Sequence, residues 1–213
     1  RGGLLHERAE ELEPQVLAFV HYGKERARRD AASATARWRE GKPLSPIDGM
    51  PVGGKDIIET QDMPTEMGSA LYKGYRSNRD AASVAALREA GAVIFGKTVT
   101  TEFATQPPGP TRNPWDPRRT PGGSSSGSAA AAGSGMLPAG LGTQVLGSIL
   151  RPASFCGCVG FKPSLGAINR GGSHDALSQS VHGALAASIE DAWVMLREIA
   201  DRVGGDRGTS GLI

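Results

Sequence analysis

Pro121 to Pro152 reads PGGSSSGSAAAAGSGMLPAGLGTQVLGSILRP. Gly, Ser and Ala dominate it, which excludes a conventional core element, because Gly costs stability inside helices and strands. Gly suits places where the backbone turns tightly or approaches a ligand. A flexible Gly/Ser linker is the plain alternative. Against it, Met136, Leu137, Leu141, Val145, Leu146, Ile149 and Leu150 interrupt the run as core residues do. Clustered hydroxyls beside bare backbone N–H groups are what a nucleophile and an oxyanion site require. Ser148, between Gly147 and Ile149, is the candidate nucleophile.

Working outward, 213 residues suffice for one domain with a real core. Hydrophobic residues make up 38% and the formal charge is only +2, so no strong electrostatic pull toward nucleic acid or a membrane surface is implied. The basic residues of 24–39 are diluted by Glu25, Asp30 and Glu40 and lack aromatic interleaving, which makes them a solvated helix face. No apolar run approaches the ~20 residues of a membrane span, and no secretory signal opens the chain. Cys156 and Cys158 are too close for a normal structural disulfide and too few for a metal site. They read as small buried hydrophobes in a reducing, cytoplasmic setting.

Periodicity predicts helices over 4–22 (interrupted near Pro14), 24–39, 80–90 with Asp80 as N-cap, and 127–135. A last helix starts at Ser188, where Ser188-Ile189-Glu190-Asp191 resembles a capping box, and ends at Gly204-Gly205. Strands are predicted over 51–58, 92–95 and 137–143, with 159–161 and 167–168 extended. Val145 to Ser148 is read as a tight turn and 152–156 as a helical turn. The alternation gives an α/β fold around a mixed sheet.

Gly91 to Thr98 (GAVIFGKT) fits the phosphate-loop pattern GxxxxGK[ST] in full, and Gly49 to Asp56 misses it only at the last position. A phosphate loop needs a strand, then a flexible loop, then a helix. Here a helix comes first and Ala92-Val93-Ile94-Phe95 is itself the strand, so the pattern is discounted. Lys55 stands among Val52, Ile57 and Ile58, a setting that argues for burial. Desolvation lowers a lysine pKa, and a neutral lysine can act as a base.

The ordered motifs resemble the amidase signature family. Its two hallmark segments correspond to Gly122-Gly123-Ser124-Ser125-Ser126-Gly127-Ser128 and to Gly142-Thr143-Gln144-Val145-Leu146-Gly147-Ser148-Ile149-Leu150-Arg151-Pro152-Ala153. Upstream, Asp48 to Asp56 and Gly96 to Phe103 extend the likeness, and Phe155 to Pro163 extends it downstream. The resemblance implies the amidase-signature fold, with residues 1–213 as a single domain truncated at its C-terminus. It implies a Ser–Ser–Lys triad. Ser148 aligns with the nucleophile, Ser124 with a bridging serine held after a cis peptide bond, and Lys55 with the base. Ser125, Ser126 and Ser128 compete for the bridging place, and Ser125 can instead orient the lysine or cap the following helix.

Backbone N–H groups of Val145, Leu146 and Gly147 would then face the oxyanion, with Ser125 and Gln144 beside the substrate. No metal or cofactor is needed by this chemistry. The activity implied is hydrolysis of the amide bond of a small carboxamide through an acyl-enzyme, releasing ammonia or an amine. The alternatives are the glutamine-hydrolysing subunit of a tRNA-dependent amidotransferase and a catalytically silent truncated chain. Gln144, Val145 and Leu146 depart from the family's Asp, Thr and Gly, which favours a stand-alone amidase. A homodimer is implied by family analogy alone. His6, His21, His174 and His182 sit in no hydrolase triad pattern, though His174 and His182 can line a pocket.

Overall fold

A computed structural model describes residues 2–175 and 177–212. Helix α1 (Gly2–Val16) leads into strand β1 (Phe19–Tyr22), and helix α2 (Lys24–Arg39) follows. Next come β2 (Pro51–Lys55), α3 (Ala82–Glu89), β3 (Val93–Thr98), α4 (Ser126–Gly133) and β4 (Ala139–Gln144). The chain then runs through α5 (Leu150–Cys156), β5 (Val159–Phe161), β6 (Val181–Ala186) and α6 (Ile189–Val203).

The six strands form one mixed sheet in the order β1-β3-β2-β4-β6-β5. β2 runs parallel to β3 and β4, while β1, β6 and β5 pair antiparallel with their neighbours. Alternation along the strands sends side chains to two cores. Ile94, Leu141, Ala184 and Ala186 pack with α3 and α6 on one face. Val93, Phe95 and Leu185 pack with α1, α2, α4 and α5 on the other.

The sequence reading and the structure part at several places. The helix expected over 4–22 stops at Val16. The Glu13 carboxylate accepts hydrogen bonds from the N–H groups of Ala18 and Phe19, each at 2.9 Å, and Leu17 takes a left-handed φ of 54°. The aromatic and β-branched run Phe-Val-His-Tyr then pairs with β3 as an edge strand. β2 ends at Lys55 because the N–H groups of Ile57 and Ile58 both turn back to its carbonyl. Asp80 is not the cap of α3; that place is Ala81, and the Asp80 carboxylate accepts from Gln61 N–H and Arg88 instead. β6 is absent from the sequence reading, and residues 167–168 form no strand. Ser188 caps α6 as expected, its hydroxyl accepting from Asp191 N–H at 3.0 Å, while the Asp191 carboxylate accepts from that same hydroxyl at 2.7 Å in place of the Ser188 N–H of a full capping box.

Gly96, Lys97 and Thr98 of the phosphate-loop pattern are buried residues of β3. Lys97 Nζ donates to Thr65 Oγ1 and the Pro64 carbonyl and lies 3.1 Å from Asp56 Oδ1. That lysine is part of the protein interior and faces no phosphate loop.

α4 lies unusually close to the sheet, as its run of Gly, Ser and Ala allows. A Cβ placed on Gly127 would stand 2.2 Å from the Ala18 carbonyl and 2.4 Å from Val99 N. Both are backbone atoms that cannot swing aside. Gly127→Ala is therefore expected to cost about 1–3 kcal/mol of stability, read as a lower urea midpoint. An unchanged midpoint would show that α4 can lift off the sheet freely.

Candidate active site

The C-terminal ends of β2 and β4 and the N-terminal end of α4 meet at one point. Lys55 closes β2 there and is fully buried. Its Nζ lies 2.7 Å from Ser124 Oγ and 2.7 Å from Thr143 Oγ1. Ser124 is itself buried and follows a cis Gly123–Ser124 peptide bond. Burial pushes the Lys55 amine down to about 7, opposed by the negative charge of Asp175. A lysine in that state exchanges a proton with a neighbouring hydroxyl near neutral pH.

Ser148 sits on the loop between β4 and α5, half-buried at the surface of this cluster. Its carbonyl accepts a hydrogen bond from Ser125 N–H at 3.2 Å, which ties the loop to the serine cluster. Its hydroxyl has no hydrogen-bond partner among the described residues, so the structure joins Lys55 directly to Ser124 and leaves Ser148 Oγ free. Catalytic contacts commonly tighten only when substrate is present.

The remaining expected site residues fall into two groups. The N–H groups of Leu146, Gly147 and Ser148 donate to no described residue. Leu146 is 93% exposed, and Val145 and Gly147 are partly so. Gln144 and Ser125 are turned inward. Gln144 Oε1 accepts from Ile149 N–H (2.8 Å) and Leu150 N–H (2.9 Å), fixing the start of α5. Ser125 Oγ exchanges hydrogen bonds with the Thr143 backbone, both at 3.2 Å, and bonds neither Lys55 nor the N–H groups that open α4. Ser126 and Ser128, the other competitors for the bridging place, bond the carbonyls of Val99 and Leu141.

Sequence reasoning misses Thr143 as a partner of the lysine. Its place in the Gly142-Thr143-Gln144 run is the available signal. His182 lies opposite Thr143 in the β4–β6 register, fully buried, with neither ring nitrogen hydrogen-bonded to a described residue. Burial holds it neutral, down to about 4, against the pull of Asp175. His174 Nε2 lies 2.8 Å from the buried Glu59 carboxylate, which Arg79 also holds, and His21 lies 3.1 Å from Glu66. None of these histidines is hydrogen-bonded to a serine among the described residues. Cys156 and Cys158 are free thiols, pushed up by burial to about 12 and about 11.

A cavity of about 900 Å³ lies elsewhere, between α1, α2 and the sheet. It is lined by Ala27, Trp38, Met50, Pro51, Val93 and Pro138. Pro51, Val93 and Pro138 stand at the starts of β2, β3 and β4, at the end of the sheet away from Lys55.

A family model described as Amidase matches residues 4–212. The chain belongs to the amidase-signature family. The glutamyl-tRNA(Gln) amidotransferase subunit of Thermobifida fusca (strain YX) is 42% identical over 193 residues, covering 87% of this chain and 39% of the relative. Among solved structures, the peptide amidase of Stenotrophomonas maltophilia superposes with a TM-score of 0.88 at 32% identity. That match covers 97% of this chain and 44% of the peptide amidase. The glutamyl-tRNA(Gln) amidotransferase subunit of Thermotoga maritima gives 0.76 at 35% identity, over 91% of this chain and 42% of that one. The chain thus spans about two-fifths of the length of these relatives. Among the described residues, no helix of this amidase-family chain is long and apolar enough to cross a membrane.

The depressed amine also affects stability. The unfolded chain holds the Lys55 proton up to about 10.4, whereas the folded chain releases it at about 7. Between those values the unfolded state binds more protons, so stability rises with pH. The rise due to Lys55 is on the order of 4 kcal/mol. Urea unfolding from pH 7 to 10 should show wild type gaining stability relative to Lys55→Met. Parallel curves for the two proteins would rule out a depressed amine.

Proposed function

We propose that the site hydrolyses the carbon–nitrogen bond of a small carboxamide, with Ser148 as nucleophile, Ser124 as bridge and Lys55 as base. The observation that carries this reading is the fully buried Lys55 amine, 2.7 Å from the Ser124 hydroxyl and lowered to about 7. A serine hydroxyl is a weak nucleophile until a base activates it. Neutral Lys55 accepts the Ser124 proton while Ser124 accepts that of Ser148, and Ser148 Oγ attacks the amide carbonyl.

The charge that develops on the carbonyl oxygen meets the free N–H groups of the loop before Ser148. One such donor is worth roughly 3 kcal/mol of barrier. The relay then runs backwards. Lys55 returns its proton through Ser124 to the leaving nitrogen, and ammonia or an amine departs. Water, activated by the same relay, adds to the Ser148 ester, releases the carboxylic acid and restores the serine. Each step balances in protons without a metal or a cofactor.

A second reading is favoured by one observation, the 42% identity to a glutamyl-tRNA(Gln) amidotransferase subunit. In that reading glutamine is the amide, and partner chains receive the ammonia. Glutaminase activity that appears only with partner chains would separate it from a stand-alone amidase.

The expected outcome for Ser148→Ala is complete loss of ammonia release from simple carboxamides, with an unchanged circular dichroism spectrum. Ser124→Ala should lose on the order of a hundredfold or more in kcat. Because Lys55 must be unprotonated to act, kcat/KM of the wild type should rise with pH through about 7. Undiminished turnover in Ser148→Ala would discard the assignment.

A further inference from the structure

Arg151 stands three residues after Ser148, on the first turn of α5. Its guanidinium makes no ion pair with any described residue. Instead Nη2 (2.7 Å) and Nε (3.2 Å) both donate to one acceptor, the carbonyl oxygen of Gly123. That carbonyl belongs to the peptide unit that carries the nitrogen of Ser124. Two side-chain donors converging on a single backbone oxygen hold that oxygen in place. A charged donor makes the stronger class of hydrogen bond.

The neighbouring peptide groups are fixed as well. Thr101 N–H donates to the Ser124 carbonyl at 3.2 Å, and Ser125 N–H donates to the Ser148 carbonyl at 3.2 Å. Arg151 N–H donates to the Gly147 carbonyl at 2.9 Å, so the arginine is also tied to the loop that carries Ser148. A Cβ on Gly122 would stand 2.9 Å from Pro152 Cα, which leaves little room between the serine segment and the start of α5.

We propose that Arg151 is a positioning residue, holding the bridging serine in register with the nucleophile by grasping the carbonyl between Gly123 and Ser124. It touches no reacting atom. Its contribution is to stop the serine segment and the Ser148 loop from sliding past each other, so that a small shift on substrate binding brings the two hydroxyls within reach of one proton transfer. Small misplacements of reacting groups cost large factors in rate. The inference rests on the serine–serine–lysine reading above, and its test separates the two.

The test compares wild type with Arg151→Met and Arg151→Lys by residue-resolved hydrogen exchange and by the rate at which a fluorophosphonate labels Ser148. In Arg151→Met, exchange at the amides of Thr101 and Ser125 should quicken at least tenfold, while that of Leu141 in β4 stays at its wild-type rate. Labelling of Ser148 should slow at least tenfold. Arg151→Lys, which keeps a cationic donor but not the fork, should fall between the two on both readouts, and it decides the matter if Arg151→Met does not fold. Wild-type exchange at Thr101 and Ser125 in the variants would overturn the proposal, and so would faster exchange with unaltered labelling. Labelling that persists at the wild-type rate in Ser148→Ala, or never occurs in wild type, would instead overturn the triad reading, and this inference with it. The exchange rates would still report whether Arg151 anchors the serine segment.

Discussion

A lysine amine sealed from water between two hydroxyls is the constraint around which this structure is arranged. Lys55 has no exposed surface, and Ser124 and Thr143 are the hydrogen-bond partners of its nitrogen. A charged ammonium is costly in such a place, so the amine releases its proton readily. Three segments must meet to build that enclosure: the end of β2, the end of β4 and the serine run before α4. The parallel pairing of β2 with β4 brings two of them together, and the close seat of α4 on the sheet brings the third.

That close seat explains the composition of the central stretch. Gly140 and Gly142 on β4 face α4 without side chains, and a Cβ on Gly142 would lie 2.9 Å from Ser125 Oγ. The serines there are not those of a linker. Ser125, Ser126 and Ser128 bond the backbones of Thr143, Val99 and Leu141, holding the helix to both neighbouring strands. Among the described serines of this run, Ser124, just before this scaffold, is the one that bonds the lysine. The other hydroxyls are therefore structural, and their number hides the lysine's serine partner in the sequence.

Gln144 shows the same division of labour. Its side-chain oxygen holds the first N–H groups of α5, just beyond Ser148. The loop of Val145, Leu146 and Gly147 thus lies between a buried strand end and a fixed helix start, and the Leu146 and Gly147 N–H groups donate to no described residue. A loop restrained at both ends and unsatisfied in the middle presents donors without having to reorganise. The link from local capping to chemistry runs through that restraint.

Much of this was legible in the sequence. The alternation of helices and strands, the Ser188 cap and the burial of Lys55 followed from periodicity and from the polarity of near neighbours, which act over a few residues. The motifs singled out Ser148, Ser124 and Lys55, and the fold seats Lys55 against Ser124. What the sequence left open depends on contacts between distant segments. β1 reads as helix until the Glu13 carboxylate and the edge of β3 compete for its N–H groups. β6 carries small residues whose strand character comes from pairing with β4 and β5. Thr143 as a partner of the lysine and Arg151 as a partner of Gly123 join residues 88 and 28 positions apart. No local preference encodes such a pair; it exists only once the sheet has been assembled and α4 has closed onto it.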